Sequence, residues 1–320
     1  MPAVARLTRL FARRAGAGDE DPFDPALFSR LDRMRLRFDN AHGARAGETP
    51  VRGLTQESGI EVESFKSYTP GDDIRYVDWN AVGRLDQLLT RRFVAEREIP
   101  IHIFLDASAS MAVPTDDHKF AFAMRLAAAL AYVSLNSNDP VRIAATRLES
   151  GGVQLTESPL LRHRGRYLRL KGFFEGLKPS GATALSEGIA RYLERHHERG
   201  LAFVLSDFLV PPDIYERAFA RLRSKRLEAH AVHVIGKVEH DLDGISGRLR
   251  IRDSESGAVR EVALSTADRR RYAAAFAQRA EAIRALCHRS GVGYARVRSD
   301  DGIDRCMTQV LPAAGMMRLR

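Results

Sequence analysis

An apolar run, Ile101 to Leu105, leads directly into Asp106-Ala107-Ser108-Ala109-Ser110. In an extended loop residues two apart point the same way, so Asp106, Ser108 and Ser110 can face one point. A second apolar run, Leu201 to Leu205, ends in Ser206-Asp207, and between the two runs Ser180-Gly181-Ala182-Thr183 opens a helix. Backbone donors and a hydroxyl converge at such a helix start. Two carboxylates (Asp106, Asp207) and three hydroxyls (Ser108, Ser110, Thr183), with room for water, form a hard-oxygen set. It suits Mg²⁺ or Mn²⁺ rather than Zn²⁺. So small a set would leave the metal partly hydrated and able to take one carboxylate from outside. Each residue alone has a plainer reading: Ser and Asp after a strand form turns and caps, Thr183 is an N-cap, Asp207 a turn residue. Their joint occurrence, in order, at three separate loops is what points to a metal site.

The elements around these residues place them in a common crevice. From Pro100 onward, short apolar runs alternate with amphipathic or apolar helical stretches. Strands are predicted at 101–105, 141–147, 153–155, 201–205, 227–235 and 294–297. Helices are predicted at 120–136, 165–177, 185–199, 213–224 and 267–290, with a closing helix from Ile303. That order predicts an α/β fold with a doubly wound, mostly parallel sheet, in which ligands bind beyond the carboxyl ends of the strands. Runs 248–251 and 259–264, joined around Ser256-Gly257, predict an inserted hairpin. Upstream, residues 1–24 read as a flexible arm. Leu27, Phe28, Leu31, Met34 and Phe38 recur at helical spacing, ending near the Gly43 to Gly47 loop. Residues 51–98 read as a small strand-rich module, with Ile60, Val62 and Phe65 in a strand whose alternation slips and Leu88 to Val94 in another. The expected domains are the arm (1–24), a helix and strand-rich module packed on the main domain (25–98), and the main domain (99–320).

Length and composition fit a soluble globular chain: 320 residues, 44% hydrophobic and 28% charged, enough to bury a core. No run reaches the length of a membrane span, since Phe120 to Leu135 carries Arg125 in its middle, and the N-terminus lacks a signal peptide's apolar core. The two cysteines, Cys287 and Cys306, form no CxxC, which suits a reducing cytoplasm. The net charge of +9 is carried almost wholly by arginine, with only six lysines, and it arises entirely after residue 100. A basic surface attracts acidic partners, but no aromatic-interleaved basic motif accompanies it, so specific nucleic-acid binding is not expected. The basic run Arg162, His163, Arg164, Arg166, Arg169 and Lys171 reads as a solvated helix face, placed to steer an acidic ligand toward the metal.

Asp106-x-Ser108-x-Ser110, with Thr183 and Asp207 downstream, is similar to the metal-ion-dependent adhesion site of von Willebrand factor A domains. Tyr68-Thr69-Pro70-Gly71-Asp72-Asp73-Ile74-Arg75-Tyr76-Val77-Asp78-Trp79-Asn80, followed by Phe93-Val94-Ala95-Glu96-Arg97-Glu98, resembles the signature of the bacterial family called domain of unknown function fifty-eight. The resemblance runs from about Val51 to the C-terminus. It implies a von Willebrand factor A-like, Rossmann-type fold and a metal held by Ser108, Ser110 and Thr183, with Asp106 and Asp207 acting directly or through water. A Glu or Asp of a protein partner would complete the shell. It further implies an adaptor or co-chaperone, not an enzyme, working with a MoxR-type AAA+ ATPase or its client. Many relatives begin with two membrane helices that this chain lacks, so a membrane location does not carry over. In the upstream signature, Arg75 is expected to pair with a carboxylate and Trp79 to bury against the sheet.

The rival reading is a Mg²⁺-dependent hydrolase, a phosphatase or nuclease using the same strand-end carboxylates. A haloacid-dehalogenase-type phosphatase needs a second Asp two residues after the first, where this chain has Ser108. No GxSxG elbow and no GxxxxGK[ST] loop occurs. His196-His197 and the pair His230, His233 are weak candidates for a second metal or an acid–base pair.

Overall fold

The computed structural model describes residues 25–38, 62–70, 74–85, 87–93, 98–113, 118–240, 242, 247–252, 254 and 258–319. The expected arm, the Gly43 to Gly47 loop, Asp72 and Asp73 lie outside the described residues. The chain divides into two compact units, one formed by residues 1–43 and 99–320 and the other by residues 44–98.

The larger unit is built on a six-stranded sheet in the order β11-β8-β7-β4-β5-β6. Its strands are β4 (Ile101–Asp106), β5 (Val141–Glu149), β6 (Gly152–Glu157), β7 (Leu201–Ser206), β8 (Glu228–Ile235) and β11 (Gly293–Arg298). All pairs are parallel except β5–β6, which closes one edge as an antiparallel pair. The α/β class and doubly wound, mostly parallel sheet expected from the alternation are therefore what the chain adopts. From β4 the chain moves to β5 and β6 on one side, then crosses back to β7 on the other. The loops after β4 and β7 part in opposite directions, which opens a crevice between them.

Every residue of β4 and β7 is buried, as expected of central strands covered on both faces. One face packs on α3 (Lys119–Asn136), an alanine-rich helix apolar nearly all round and correspondingly buried nearly all round. The other face packs on α5 (Leu185–Arg195) and α6 (Pro212–Ser224) through Phe104, Val204, Ile189, Tyr192 and Phe219. Helix α7 (Thr266–Arg289) starts at a capping box between Ser265 and Asp268 and follows the hairpin β9 (Gly247–Arg252)–β10 (Val259–Leu264).

Three local expectations are corrected. The helix begun at Leu27 stops early: α1 covers Pro25–Leu31, and Met34–Leu36 turns into strand β1, paired antiparallel with β12 (Met317–Leu319). Both periodicities bury Leu27, Leu31 and Met34, so apolar spacing alone did not separate them. Helix α1 also belongs to the larger unit, where Phe28 stacks on Tyr132 with ring centroids 4.3 Å apart. The stretch expected as one helix from 165 is a 3₁₀ segment, Arg164–Arg169, running into α4 (Leu170–Gly176). The closing helix from Ile303 is interrupted by a π turn at Cys306–Val310, just before Pro312, which has no N–H to continue a regular ladder.

In the smaller unit, β2 (Val62–Ser67) pairs antiparallel with β3 (Leu89–Phe93), and the expected slip in alternation is a register shift between Val62 and Ser64. The signature segment folds back on this hairpin. Val77 bridges to Thr90, and Asp78 N–H donates to the Leu89 carbonyl at 2.8 Å. Asp78 Oδ1 accepts from Asn80 N at 3.1 Å, at the start of α2 (Trp79–Leu85). Trp79 does not bury as expected but is 65% exposed, and α2 buries none of its residues. A two-stranded ribbon offers too little area to cover an indole.

Candidate metal centre

Asp106 is the last residue of β4 and is buried. Its Oδ1 accepts from Ser108 N at 3.0 Å, which bends the chain back on the strand end. Ser108 is extended (φ −68°, ψ 162°), but Ser110 lies in a 3₁₀ turn, Ala109–Ala112, not in the extended loop expected. The turn still brings the two hydroxyls together, with Ser108 Oγ and Ser110 Oγ 3.0 Å apart.

The Thr183 loop is tied to this turn through the backbone. Ala109 N donates to the Gly181 carbonyl and Ser180 N to the Ala107 carbonyl, each at 2.9 Å. Leu148 of β5 and Ala182 exchange bonds of 2.7 and 3.0 Å. Gly181 makes that approach possible: its φ is +66°, and a Cβ there would sit 1.9 Å from the Leu148 carbonyl oxygen. Thr183 is not the N-cap. Ala184 is, with no side-chain cap bond, and the Thr183 hydroxyl instead donates to Asp106 Oδ2 at 2.5 Å. Ser206 Oγ donates to the same oxygen at 2.7 Å.

Asp207, beyond the end of β7, accepts from Leu209 N at 3.1 Å through Oδ1 and from Lys119 Nζ at 2.9 Å through Oδ2. Lys119 also donates to Glu239 at 2.5 Å, and its side chain has no exposure at all. The structure thus gathers Asp106 with Thr183, Ser108 with Ser110, and Asp207 beside Asp106. It adds Ser206, Lys119 and Glu239, which the sequence reading did not place in the site. Lys119 carried a signal: it is the first residue of α3, at the positive end of the helix dipole, with no acid in the first turn.

The electrostatics of the cluster run in one direction. Burial and the neighbouring Asp207 charge raise the Asp106 pKa, against the donors Thr183, Ser206 and Ser108. Burial alone would lower Lys119, but Asp207 and Glu239 outweigh it and the pKa is raised. Burial raises Glu239 while the Lys119 ammonium pulls the other way. The ionisable groups gathered here are three carboxylates (Asp106, Asp207, Glu239) against one ammonium (Lys119), so the cluster is rich in oxygen and short of cations. Its oxygen donors therefore fit a hard divalent cation. Among the described residues, no group of three or more His, Cys, Asp or Glu side chains could hold a metal. A metal here would rest on two carboxylates plus hydroxyls.

Of the other candidates, His233 borders the crevice, opposite Ser206 in the sheet register and near the Asp207 charge, whereas Arg164 and His196 do not line it. Arg164, in the basic run, lies over the Tyr132 ring with its guanidinium carbon 4.8 Å from the centroid. Tyr132 is thirteen residues along α3 from Lys119, about 20 Å at helical rise, so Arg164 does not line the site. His196 Nε2 meets Glu157 at 2.6 Å, and His233 Nδ1 meets the Tyr294 hydroxyl at 2.8 Å. Burial holds the His233 pKa down to about 4.

Comparison with known proteins places the chain. The family described as protein of unknown function DUF58 matches residues 64–282, more than half of the sequence. The chain belongs to this family. An uncharacterised protein of Mycobacterium tuberculosis is 30% identical over 275 residues, covering 84% of this chain and 83% of that one, and a Mycobacterium bovis protein matches to the same extent. Among solved structures, the conserved hypothetical protein BatB of Bacteroides thetaiotaomicron is similar over 68% of this DUF58 chain and 98% of its own, at 17% identity and a TM-score of 0.39. The SpRpn10 VWA domain is similar over 65% and 93%, at 12% identity and a TM-score of 0.34. Among the described residues of this DUF58 protein no helix is long and apolar enough to cross a membrane.

Proposed function

We propose that this DUF58 protein is a protein-binding module whose contact point is a divalent cation, Mg²⁺ or Mn²⁺, held in the crevice between β4 and β7. The observation that carries the reading is the strand-end cluster in which the Thr183 hydroxyl donates to Asp106, Asp207 lies near enough to act on Asp106 by charge, and the Ser108 and Ser110 hydroxyls stand 3.0 Å apart. Hydroxyl donors leave the cation electrophilic, so a carboxylate from a partner completes its shell. The partner we favour is a MoxR-type AAA+ ATPase or its client, with this chain as adaptor or co-chaperone; that part comes from the family resemblance alone. The two free cysteines, both buried, accord with a cytoplasmic setting.

A Mg²⁺-dependent phosphatase or nuclease is the competing reading. It is disfavoured because Ser108 stands two residues after Asp106, where a phosphatase of the haloacid-dehalogenase type needs a second Asp.

The test is a pull-down with the full chain in Mg²⁺ and in excess EDTA, repeated with the Ser108→Ala, Ser110→Ala double variant. The partner should be lost in EDTA and in the variant while circular dichroism stays unchanged, since alanine fits where these small side chains sit. Binding retained in both would sink the reading. Mg²⁺-dependent turnover of phosphoester substrates that disappears in Asp106→Ala would replace it with the hydrolase.

A further inference from the structure

A lysine with no exposed side-chain surface is costly unless its charge is used, because burial withdraws the ammonium from water. Lys119 sits where the helix gives it no reason to be. It is the first residue of α3, at the dipole's positive end, after an N-cap (His118) in a left-handed conformation that offers no side-chain bond. Its ammonium spans two carboxylates, Asp207 at 2.9 Å and Glu239 at 2.5 Å.

Those carboxylates are not equivalent. Glu239 is pinned: its Oε2 accepts from Gly236 N at 2.8 Å, and its carbonyl accepts from the Tyr272 hydroxyl at 3.0 Å. Glu239 therefore holds Lys119 from a fixed position. Asp207 has one oxygen on Leu209 N and the other on Lys119. A cation approaching Asp207 meets a carboxylate whose charge the ammonium already partly neutralises, so the two positive charges repel and compete for it.

We propose that Lys119 is a resident counter-ion of the site, which satisfies Asp207 when no metal is bound and competes with the divalent ion for that carboxylate. This rests on the metal reading above. Two ligands that compete for one group lower each other's affinity by the same factor, so the pairing of Lys119 sets how weakly the metal is held. A site tuned this way keeps its shape empty and exchanges its ion readily. Glu239 moderates the competition by drawing the ammonium partly off Asp207.

The test uses the full chain, with Mg²⁺ titrated calorimetrically into the parent, Lys119→Met and Glu239→Gln, and melting followed in EDTA. Lys119→Met should bind Mg²⁺ about 5- to 150-fold more tightly, the range of a typical coupling, while melting lower in EDTA. Glu239→Gln should bind Mg²⁺ more weakly, because the ammonium then belongs to Asp207 alone. Opposite shifts separate this role from a plain structural strut, whose loss would weaken binding in both variants or in neither. Weaker or unchanged binding in Lys119→Met overturns the proposal. Where Lys119→Met yields no folded protein, Glu239→Gln decides, and unchanged or tighter binding there overturns it. A parent that takes up no Mg²⁺ overturns the metal reading itself, a result distinct from a parent that binds while its variants move the wrong way.

Discussion

Replacing Gly181 by alanine should loosen the site without touching any proposed ligand. The added Cβ would stand 1.9 Å from the Leu148 carbonyl oxygen, against a closest tolerated approach of about 3 Å, so the loop must retreat by about 1 Å. That oxygen is the acceptor for Ala182 N, and Leu148 N donates back to Ala182, so the retreat strains both bonds of the bridge. Losing two backbone hydrogen bonds costs about 2 kcal/mol net, and an alanine at φ +66° adds about 1 kcal/mol or more. The total is about 3–4 kcal/mol. Urea unfolding followed by far-ultraviolet circular dichroism would read it directly. Because Thr183 lies two residues on, its hydroxyl should move away from Asp106 Oδ2, and calorimetric Mg²⁺ affinity should fall by about tenfold or more. A variant within about 1 kcal/mol of the parent, with unchanged Mg²⁺ affinity, would refute the claim that this bridge positions the Thr183 loop.

Two other outcomes follow from buried or exposed rings. Burial holds the His102 pKa down from 6.5 to about 4, while its Nδ1 meets the Tyr192 hydroxyl at 2.8 Å. The unfolded chain binds that proton first, so this stabilisation is whole above pH 6.5 and is lost as pH falls toward 4. Going from about pH 7.5 to about pH 5 should remove about 2 kcal/mol through this group. His102→Asn should show a pH dependence of unfolding shallower by that amount, and equal slopes would refute the assignment. Trp79, the sole tryptophan, is 65% exposed, so its fluorescence should be red-shifted and freely quenched by acrylamide in the folded chain. A blue-shifted, protected emission would contradict its placement.

How far the sequence could be read depended on the kind of signal each element leaves. The central strands were legible because Ile101 to Leu105, broken only by His102, and Leu201 to Leu205 are apolar runs of strand length, as a strand buried on both faces requires. The acidic ends of those strands then located the crevice. Helix α1 and strand β1 look like one helix in the sequence because the turn at Asp32-Arg33 leaves Leu27, Leu31 and Met34 in a spacing that both structures satisfy. Lys119 and Glu239 were missed because their meeting is made by the tertiary fold, across 120 positions of chain. Lys119 did break a local rule by opening a helix with a positive charge. Such violations are expected where a residue answers to a site and not to its own helix. Trp79 misled in the opposite sense, since a large aromatic in a polar cluster suggests burial, whereas the ribbon beside it has little surface to give.

The pairing of β1 with β12 has a consequence for how the chain reaches this state. Met34 lies opposite Leu319, so the two strands close a circuit that takes in every element of the six-stranded sheet. Contacts of such long sequence separation form late, because the entropy of closing the loop must be met before the contact stabilises anything. During synthesis Met34 waits for a partner far downstream in the chain, while β4, β5 and β7 have theirs much earlier. This clasp should therefore be the last part of the larger unit to lock and the first to open. A chain lacking Met317–Leu319 would leave Met34 without its strand partner long after the central sheet had formed.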